Sequence, residues 1–150
     1  MLKVKLSQIR ICIIGLGYVG LPLAIAFSKY FSVTGFDLNE SRIKDLKNNV
    51  DYTNEVTSSI LKKSKCSFTS KLSDIKDCNL FIVTVPTPIF ANRKPDLGPL
   101  KSSSKMIGSI IKKGDTVVFE STVYPGATEE VCAPIIEKGS SLKLNEDFFL

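Results

Sequence analysis

Short β-branched runs alternate along the chain with stretches whose apolar residues recur at helical spacing. Ile9-Arg10-Ile11-Cys12-Ile13-Ile14 is apolar on both alternating faces, the pattern of a buried parallel strand. Behind it Val19, Leu23, Ala26, Phe27 and Tyr30 recur at helical intervals, so strand gives way to helix in the glycine-rich stretch between them. Ser32 to Asp37 reads as a second strand that ends in a carboxylate. Asn39 or Ser41 can cap a short helix carrying Ile43 and Leu46 inward, with Asn48-Asn49 at its end. After the polar connection Asp51-Tyr52-Thr53-Asn54, the pattern predicts a helix from about Glu55 to Lys63 that presents Val56, Ile60 and Leu61. A short strand over Cys66 to Thr69 and one helical turn over Leu72 to Lys76 follow.

Leu80 to Val85 is the next continuous apolar strand, closed by Pro86-Thr87-Pro88 and an extended loop that runs to about Pro99. Ordered loops of that length tend to be functional. A helix from about Leu100 to Lys112 then places Leu100, Ile107, Ile110 and Ile111 on one face, with Lys112 and Lys113 complementing its C-terminal dipole. Thr116 to Glu120 is a further strand, ending at Ser121-Thr122. Tyr124-Pro125-Gly126 turns into a helix with Glu129 and Glu130 at its start, which Pro134 should kink or interrupt. Asp147 to Leu150 begins one more strand. Strands joined by helical crossovers throughout define an α/β fold: a Rossmann-type doubly wound, mostly parallel sheet with helices on both faces. Residues 1–150 form one domain. Ligands of such sheets bind beyond the carboxyl ends of the strands, so the glycines, Pro86-Thr87-Pro88 and Ser121-Thr122 should converge on one crevice.

The first βαβ unit carries a dinucleotide fingerprint, Gly15-Leu16-Gly17-Tyr18-Val19-Gly20. Gly15 permits the tight turn, Gly17 lets the backbone approach a pyrophosphate, and Gly20 lets the helix pack closely on the sheet. Free N–H groups at the helix start then face the phosphates. Asp37 stands near the distance, about 20 residues on, at which an acid accepts hydrogen bonds from the adenosine ribose. A carboxylate there repels a 2′-phosphate, so NAD is expected over NADP. The plainer reading of the glycines is close helix–strand packing alone. Pro22 should cost one hydrogen bond near the end of the first helical turn and bend its start.

Composition adds mainly exclusions. With 43% hydrophobic and 23% charged residues the chain is an ordinary globular domain. No apolar run approaches the ~20 residues that cross a membrane, and Met1-Leu2-Lys3-Val4-Lys5 lacks a signal-peptide core; a cytoplasmic protein is expected. Cys12, Cys66, Cys78 and Cys132 show no CxxC spacing and are expected as reduced thiols. The absence of histidine removes His triads, His bases and His metal sites, and no metal is expected. The net charge of +5 could attract anionic nucleotides, but Lys62-Lys63-Ser64-Lys65 reads as a solvated helix end rather than a nucleic-acid patch.

Gly15 to Gly20 followed by Leu21-Pro22-Leu23-Ala24, then Val85-Pro86-Thr87-Pro88, then Glu120-Ser121-Thr122-Val123-Tyr124-Pro125-Gly126-Ala127-Thr128 resemble the NAD-binding domain of the UDP-glucose/GDP-mannose dehydrogenase family. The stretch Phe36-Asp37-Leu38-Asn39 and the Tyr-Pro-Gly turn look closest to its UDP-N-acetylhexosamine 6-dehydrogenases of bacterial capsule and O-antigen synthesis. Such enzymes oxidise the C6 alcohol of a nucleotide sugar to a carboxylate with two NAD. The resemblance implies pyrophosphate contacts at Tyr18 and Val19, and ribose contacts at Asp37 and Arg42. It implies that Pro86, Thr87 and Thr122 lie near the cofactor, the two threonines at its nicotinamide half, with Thr122 helping to hold a catalytic water. Plainer readings stand beside these: Arg42 a solvated helix residue, Thr87 a turn residue, Thr122 a helix cap. Glu120 is expected to be structural, capped by nearby backbone N–H groups.

By the same resemblance, the family's acid in a Pro-Glu-Arg motif and its lysine, asparagine and nucleophilic cysteine would fall beyond Leu150. The chain is therefore expected to be the N-terminal part of a longer, homodimeric enzyme and inactive by itself, with no catalytic residue of its own beyond a supporting Thr122. Two other readings remain: a free-standing NAD-binding or redox-sensing module, and the first domain of a β-hydroxyacid dehydrogenase.

Overall fold

A computed structural model describes residues 5–150. Its sheet has five strands in the order β3-β2-β1-β4-β5: β1 (Arg10–Ile14), β2 (Ser32–Phe36), β3 (Ser67–Thr69), β4 (Leu80–Val83) and β5 (Thr116–Phe119). Every pairing between these strands is parallel, with Ile13 level with Gly35 on one side and with Ile82 on the other. Phe149 extends the edge beside β5, its N–H donating to Asp115 O and its carbonyl accepting from Val117 N. This is the strand start expected near the C-terminus.

Because side chains alternate along a strand, β1 feeds two cores. Ile11 and Ile13 pack with Leu21, Ala24 and Ile25 of α1 (Gly20–Phe27), with Ile43 and Leu46 of α2 (Glu40–Lys47), and with Leu61 of α3 (Ser58–Lys63). Cys12 and Ile14 face the other way, toward Ile107 of α4 (Gly98–Gly108) and Ile136 of α5 (Ala133–Ser140). Helices therefore cover both sides of the sheet, as the doubly wound reading requires. The strand order reverses between β1 and β4, which places the switch point where the glycine turn leaves β1.

Three elements differ from the sequence pattern, each for a tertiary reason. The inner face of α1 is Gly20, Leu21, Ala24, Ile25 and Ser28, while Val19, Ala26 and Tyr30 are exposed. Gly20 sets this phase: a Cβ there would stand 1.8 Å from Gly15 O, so Gly20 must face the sheet and the residues four and eight positions on follow it. Ser28 tolerates burial by donating its hydroxyl to Ile25 O. The α3 helix starts at Ser58, capped by Thr57, rather than at Glu55. The N–H groups of Glu55 and Val56 are instead held by the Asp51 carboxylate. Finally, α4 starts earlier and ends earlier than its pattern, at Gly108, leaving Ile110 and Ile111 buried beyond it. There Gly108 and Gly139 bring α4 and α5 into backbone contact; a Cβ on Gly108 would lie 3.1 Å from Ile136 O.

Around Pro22 the α1 ladder runs Leu21 N to Gly17 O and Leu23 N to Val19 O, so only the proline's own bond is lost. Pro134 does not break its helix: a π-helical turn over Thr128–Cys132 runs directly into α5, and Pro134 sits in the first turn of α5, where a missing N–H costs least.

Candidate functional site

The glycine turn is clamped from both sides. Gly15 has φ of 95°, a left-handed conformation in which a side chain is strained, and its N–H donates to Phe36 O. From β4, Thr84 donates its hydroxyl to Gly15 O at 2.7 Å and its N–H to Ile14 O. Gly20 is required by the same contact, since its Cβ would also lie 2.4 Å from Thr84 Oγ1. Gly17 is different. A Cβ there would meet no atom of the described residues within 4 Å. Packing explains Gly15 and Gly20 but gives no reason for a glycine at Gly17. Beside it, the N–H groups of Tyr18, Val19 and Gly20 have no acceptor among the described residues, the first α1 bond being that of Leu21 to Gly17 O. Tyr18 and Val19 are exposed.

Asp37 follows β2 and locks onto the same turn. Its Oδ2 accepts from Leu16 N at 2.9 Å and its Oδ1 from Asn39 N at 2.9 Å. Each carboxylate oxygen keeps a further lone pair for a ligand hydroxyl. Asn39 in turn caps α2 by accepting from Arg42 N.

Arg42 is not a solvated helix residue. Its side chain is wholly buried: Nε donates to Leu16 O at 2.9 Å, one terminal nitrogen lies 2.8 Å from Asp51 Oδ1, and the Tyr52 ring covers the guanidinium at 4.2 Å. Both terminal nitrogens are closed off from solvent. Arg42 borders none of the hollows around the glycine turn, so in this structure it stands behind the wall where a ribose contact was expected. The ring stacking is worth about 0.5–2 kcal/mol. Burial alone would push the Asp51 carboxyl up. The Thr53 hydroxyl, the Val56 N–H and Arg42 outweigh it and hold the group down at about 2.

The three strand ends converge. A crevice of ≈ 490 Å³ is lined by the glycine turn, Asp37, Tyr52, Thr84 to Thr87 and Glu120 to Thr122. A second hollow of ≈ 490 Å³ shares Gly15, Asp37, Val85 and Pro86 with it and continues over Phe36, Leu38 and Met106. A larger hollow of ≈ 590 Å³ lies away from the strand ends, between α1 and α3. Of the residues in the three motifs only Pro22 lines it.

Within the crevice, the Thr87 hydroxyl is shut off from solvent and has no hydrogen-bond partner among the described residues. Thr122 is exposed on the crevice wall and does not cap the following helix, whose first turn starts only at Thr128. Ser121 donates to Val85 O at 2.6 Å and ties the β4 and β5 exits together. Glu120 differs from its expectation: it is exposed, borders the crevice, and its carboxylate accepts no backbone N–H among the described residues. The four cysteines are free and none borders the crevice. Burial pushes the Cys66 thiol up to about 12, far from a nucleophile's range. Neither Thr84 nor Tyr52 was singled out as a site residue from the sequence. Thr84 is visible only as the polar end of an apolar strand, and Tyr52 as an aromatic in a polar connection.

A glycine turn at the switch point, free N–H groups at the start of α1 and a carboxylate at the end of β2 define a dinucleotide-binding domain of Rossmann type. The sequence model of the UDP-glucose/GDP-mannose dehydrogenase family's NAD binding domain matches residues 9–150, and the chain belongs to that family; its cofactor is NAD. It is 54% identical over 145 residues to the UDP-N-acetyl-D-glucosamine 6-dehydrogenase of Pseudomonas aeruginosa, covering 96% of this chain and 34% of that protein. To Protein CapL of Staphylococcus aureus it is 53% identical, over 94% of this chain and 33% of that one. The structure of a UDP-D-ManNAc dehydrogenase from Pyrococcus horikoshii superposes with a TM-score of 0.85 at 33% identity, covering 93% of this chain and 34% of that chain. The chain thus spans about a third of the length of the curated relatives it matches. Among the described residues no helix is long and apolar enough to cross a membrane, and no cluster of His, Cys, Asp or Glu could hold a metal ion.

Proposed function

We propose that this chain is the cofactor half of a nucleotide-sugar 6-dehydrogenase that oxidises the C6 hydroxyl of a UDP-N-acetylhexosamine to a carboxylate, in a cytoplasmic, homodimeric enzyme of polysaccharide synthesis. The observation that carries the cofactor reading is Gly17, whose missing side chain leaves space that no protein atom uses. The pyrophosphate sits over Gly17 and takes the free N–H groups of Tyr18, Val19 and Gly20 at the start of α1. Asp37 accepts the adenosine ribose hydroxyls, and the adenine lies in the apolar hollow against Leu38 and Met106. Pro86, Thr87 and Thr122 flank the nicotinamide half, where the orphaned Thr87 hydroxyl gains a partner. Bound NAD supplies a hydride acceptor. This chain's residues bind and orient it, and Thr122 stands where it can hold a water at the reacting end.

The names of the relatives support a UDP-N-acetylhexosamine over the small carboxylates of a β-hydroxyacid dehydrogenase. Two measurements test the proposal. This chain should bind NADH, read by its fluorescence, at least ~10-fold more tightly than NADPH, because Asp37 repels a 2′-phosphate; equal affinities contradict the role given to Asp37. The full-length protein should reduce NAD with UDP-N-acetyl-D-glucosamine or an epimer. Binding of NAD without reduction by any UDP-hexose overturns the assignment.

A further inference from the structure

We propose that Tyr52 is a nucleotide-binding residue, its ring forming the outer wall of the crevice over the adenosine ribose and diphosphate, and that Arg42 and Asp51 are positioning residues that hold it there. Tyr52 is 60% exposed, an unusual place for an aromatic side chain whose ring and flanking backbone are nevertheless both held. One face of its ring lies on the buried Arg42 guanidinium. The backbone around it is fixed by the neighbouring Asp51 carboxylate, which accepts from Thr53 N, Glu55 N and Val56 N. Its hydroxyl makes no hydrogen bond among the described residues. Its position on the crevice follows from Arg42: the guanidinium that supports the ring also binds Leu16 O, and Leu16 N binds Asp37. Tyr52 therefore stands beside Asp37 and the glycine turn, on the same crevice. An aromatic side chain whose position is set before the ligand arrives loses little freedom on binding, and offers both a hydroxyl and an apolar edge. The ribose contact expected of Arg42 thus passes to the residue that Arg42 supports.

This inference rests on the NAD reading, and the experiment separates the two. NADH, ADP-ribose and nicotinamide mononucleotide are titrated against the chain and against its Tyr52→Ala and Tyr52→Phe variants. Thermal melts confirm that each variant is folded. Tyr52→Ala should weaken NADH and ADP-ribose alike by ~10-fold and leave nicotinamide mononucleotide unchanged, while Tyr52→Phe, which keeps the ring on Arg42, should lose ~3-fold. A purely structural role is excluded by chemical protection: saturating ADP-ribose should slow nitration of Tyr52 several-fold but not that of Tyr30, which is 81% exposed at the far end of α1. Unchanged ADP-ribose affinity in Tyr52→Ala, or unprotected Tyr52 in a chain that binds ADP-ribose, overturns the inference. Failure of the unaltered chain to bind either ligand overturns the cofactor reading, and this inference with it.

Discussion

The two ends of the crevice are built on opposite plans. At the β1–β2 end the polar groups are wired to one another: Thr84 to Gly15, Asp37 to Leu16 and Asn39, Arg42 to Leu16 and Asp51. At the β4–β5 end, Thr122 and Glu120 are exposed and the Thr87 hydroxyl is buried without a partner among the described residues. The first end is a preorganised mould, whose groups keep spare lone pairs and N–H groups after satisfying the protein. The second leaves the Thr87 hydroxyl without a protein partner among the described residues. Affinity should accordingly reside in the first end, and sensitivity to the reacting half of the cofactor in the second.

That contrast can be broken at several points. The largest effect is expected at Arg42. Arg42→Met leaves the Asp51 carboxylate buried and unpaired and should cost ~3–5 kcal/mol in urea unfolding. A cost near that of a surface substitution would show the wiring to be incidental. The same carboxylate should govern acid stability. Its folded value of about 2 lies below the ordinary 3.8, so its contribution is present above 3.8 and lost as pH falls toward 2. Asp51→Asn should flatten the melting curve's pH dependence in that window; an unchanged slope assigns the acid sensitivity elsewhere.

Next in size is Gly17→Val. It should raise the Kd for NADH by ~100-fold or more while leaving the melting temperature within a few degrees, because the new side chain meets only ligand space. Loss of fold would mean that the open space at Gly17 is needed by the protein after all. The smallest effect separates the two ends most sharply. Thr87→Val removes a hydroxyl that has no partner among the described residues, so the free protein should be unchanged or slightly more stable. NADH binding should weaken by ~3-fold, with ADP-ribose binding unaffected. Equal losses for both ligands would place Thr87 at the adenosine side.

What the sequence revealed and concealed follows the same division. The glycine turn, Asp37 and the three strand ends were legible because each rests on a local pattern: a β-branched run, a motif of fixed spacing, an acid at a set distance. The plainer reading of the glycines holds for Gly15 and Gly20 and fails at Gly17, a distinction no motif can draw. The phase of α1 was misread because its apolar residues nearly encircle the helix, and a single close contact at Gly20 chose between faces. Arg42 was read as a ribose contact or, more plainly, as a solvated helix residue, and neither reading anticipates a buried side chain. Its burial depends on Leu16, Asp51 and Tyr52 arriving from separate segments. Glu120 was expected to be capped, yet its surroundings leave it facing the crevice.

By itself the sequence determined the βαβ order, the parallel sheet, the position of the phosphate turn and its acidic partner, because period and spacing along one chain suffice for these. Only the tertiary structure decided which face of α1 meets the sheet, which glycines close packing demands, and which side chains are buried behind the crevice rather than lining it. Those outcomes depend on distances between atoms far apart in sequence, where one ångström separates a contact from a clash.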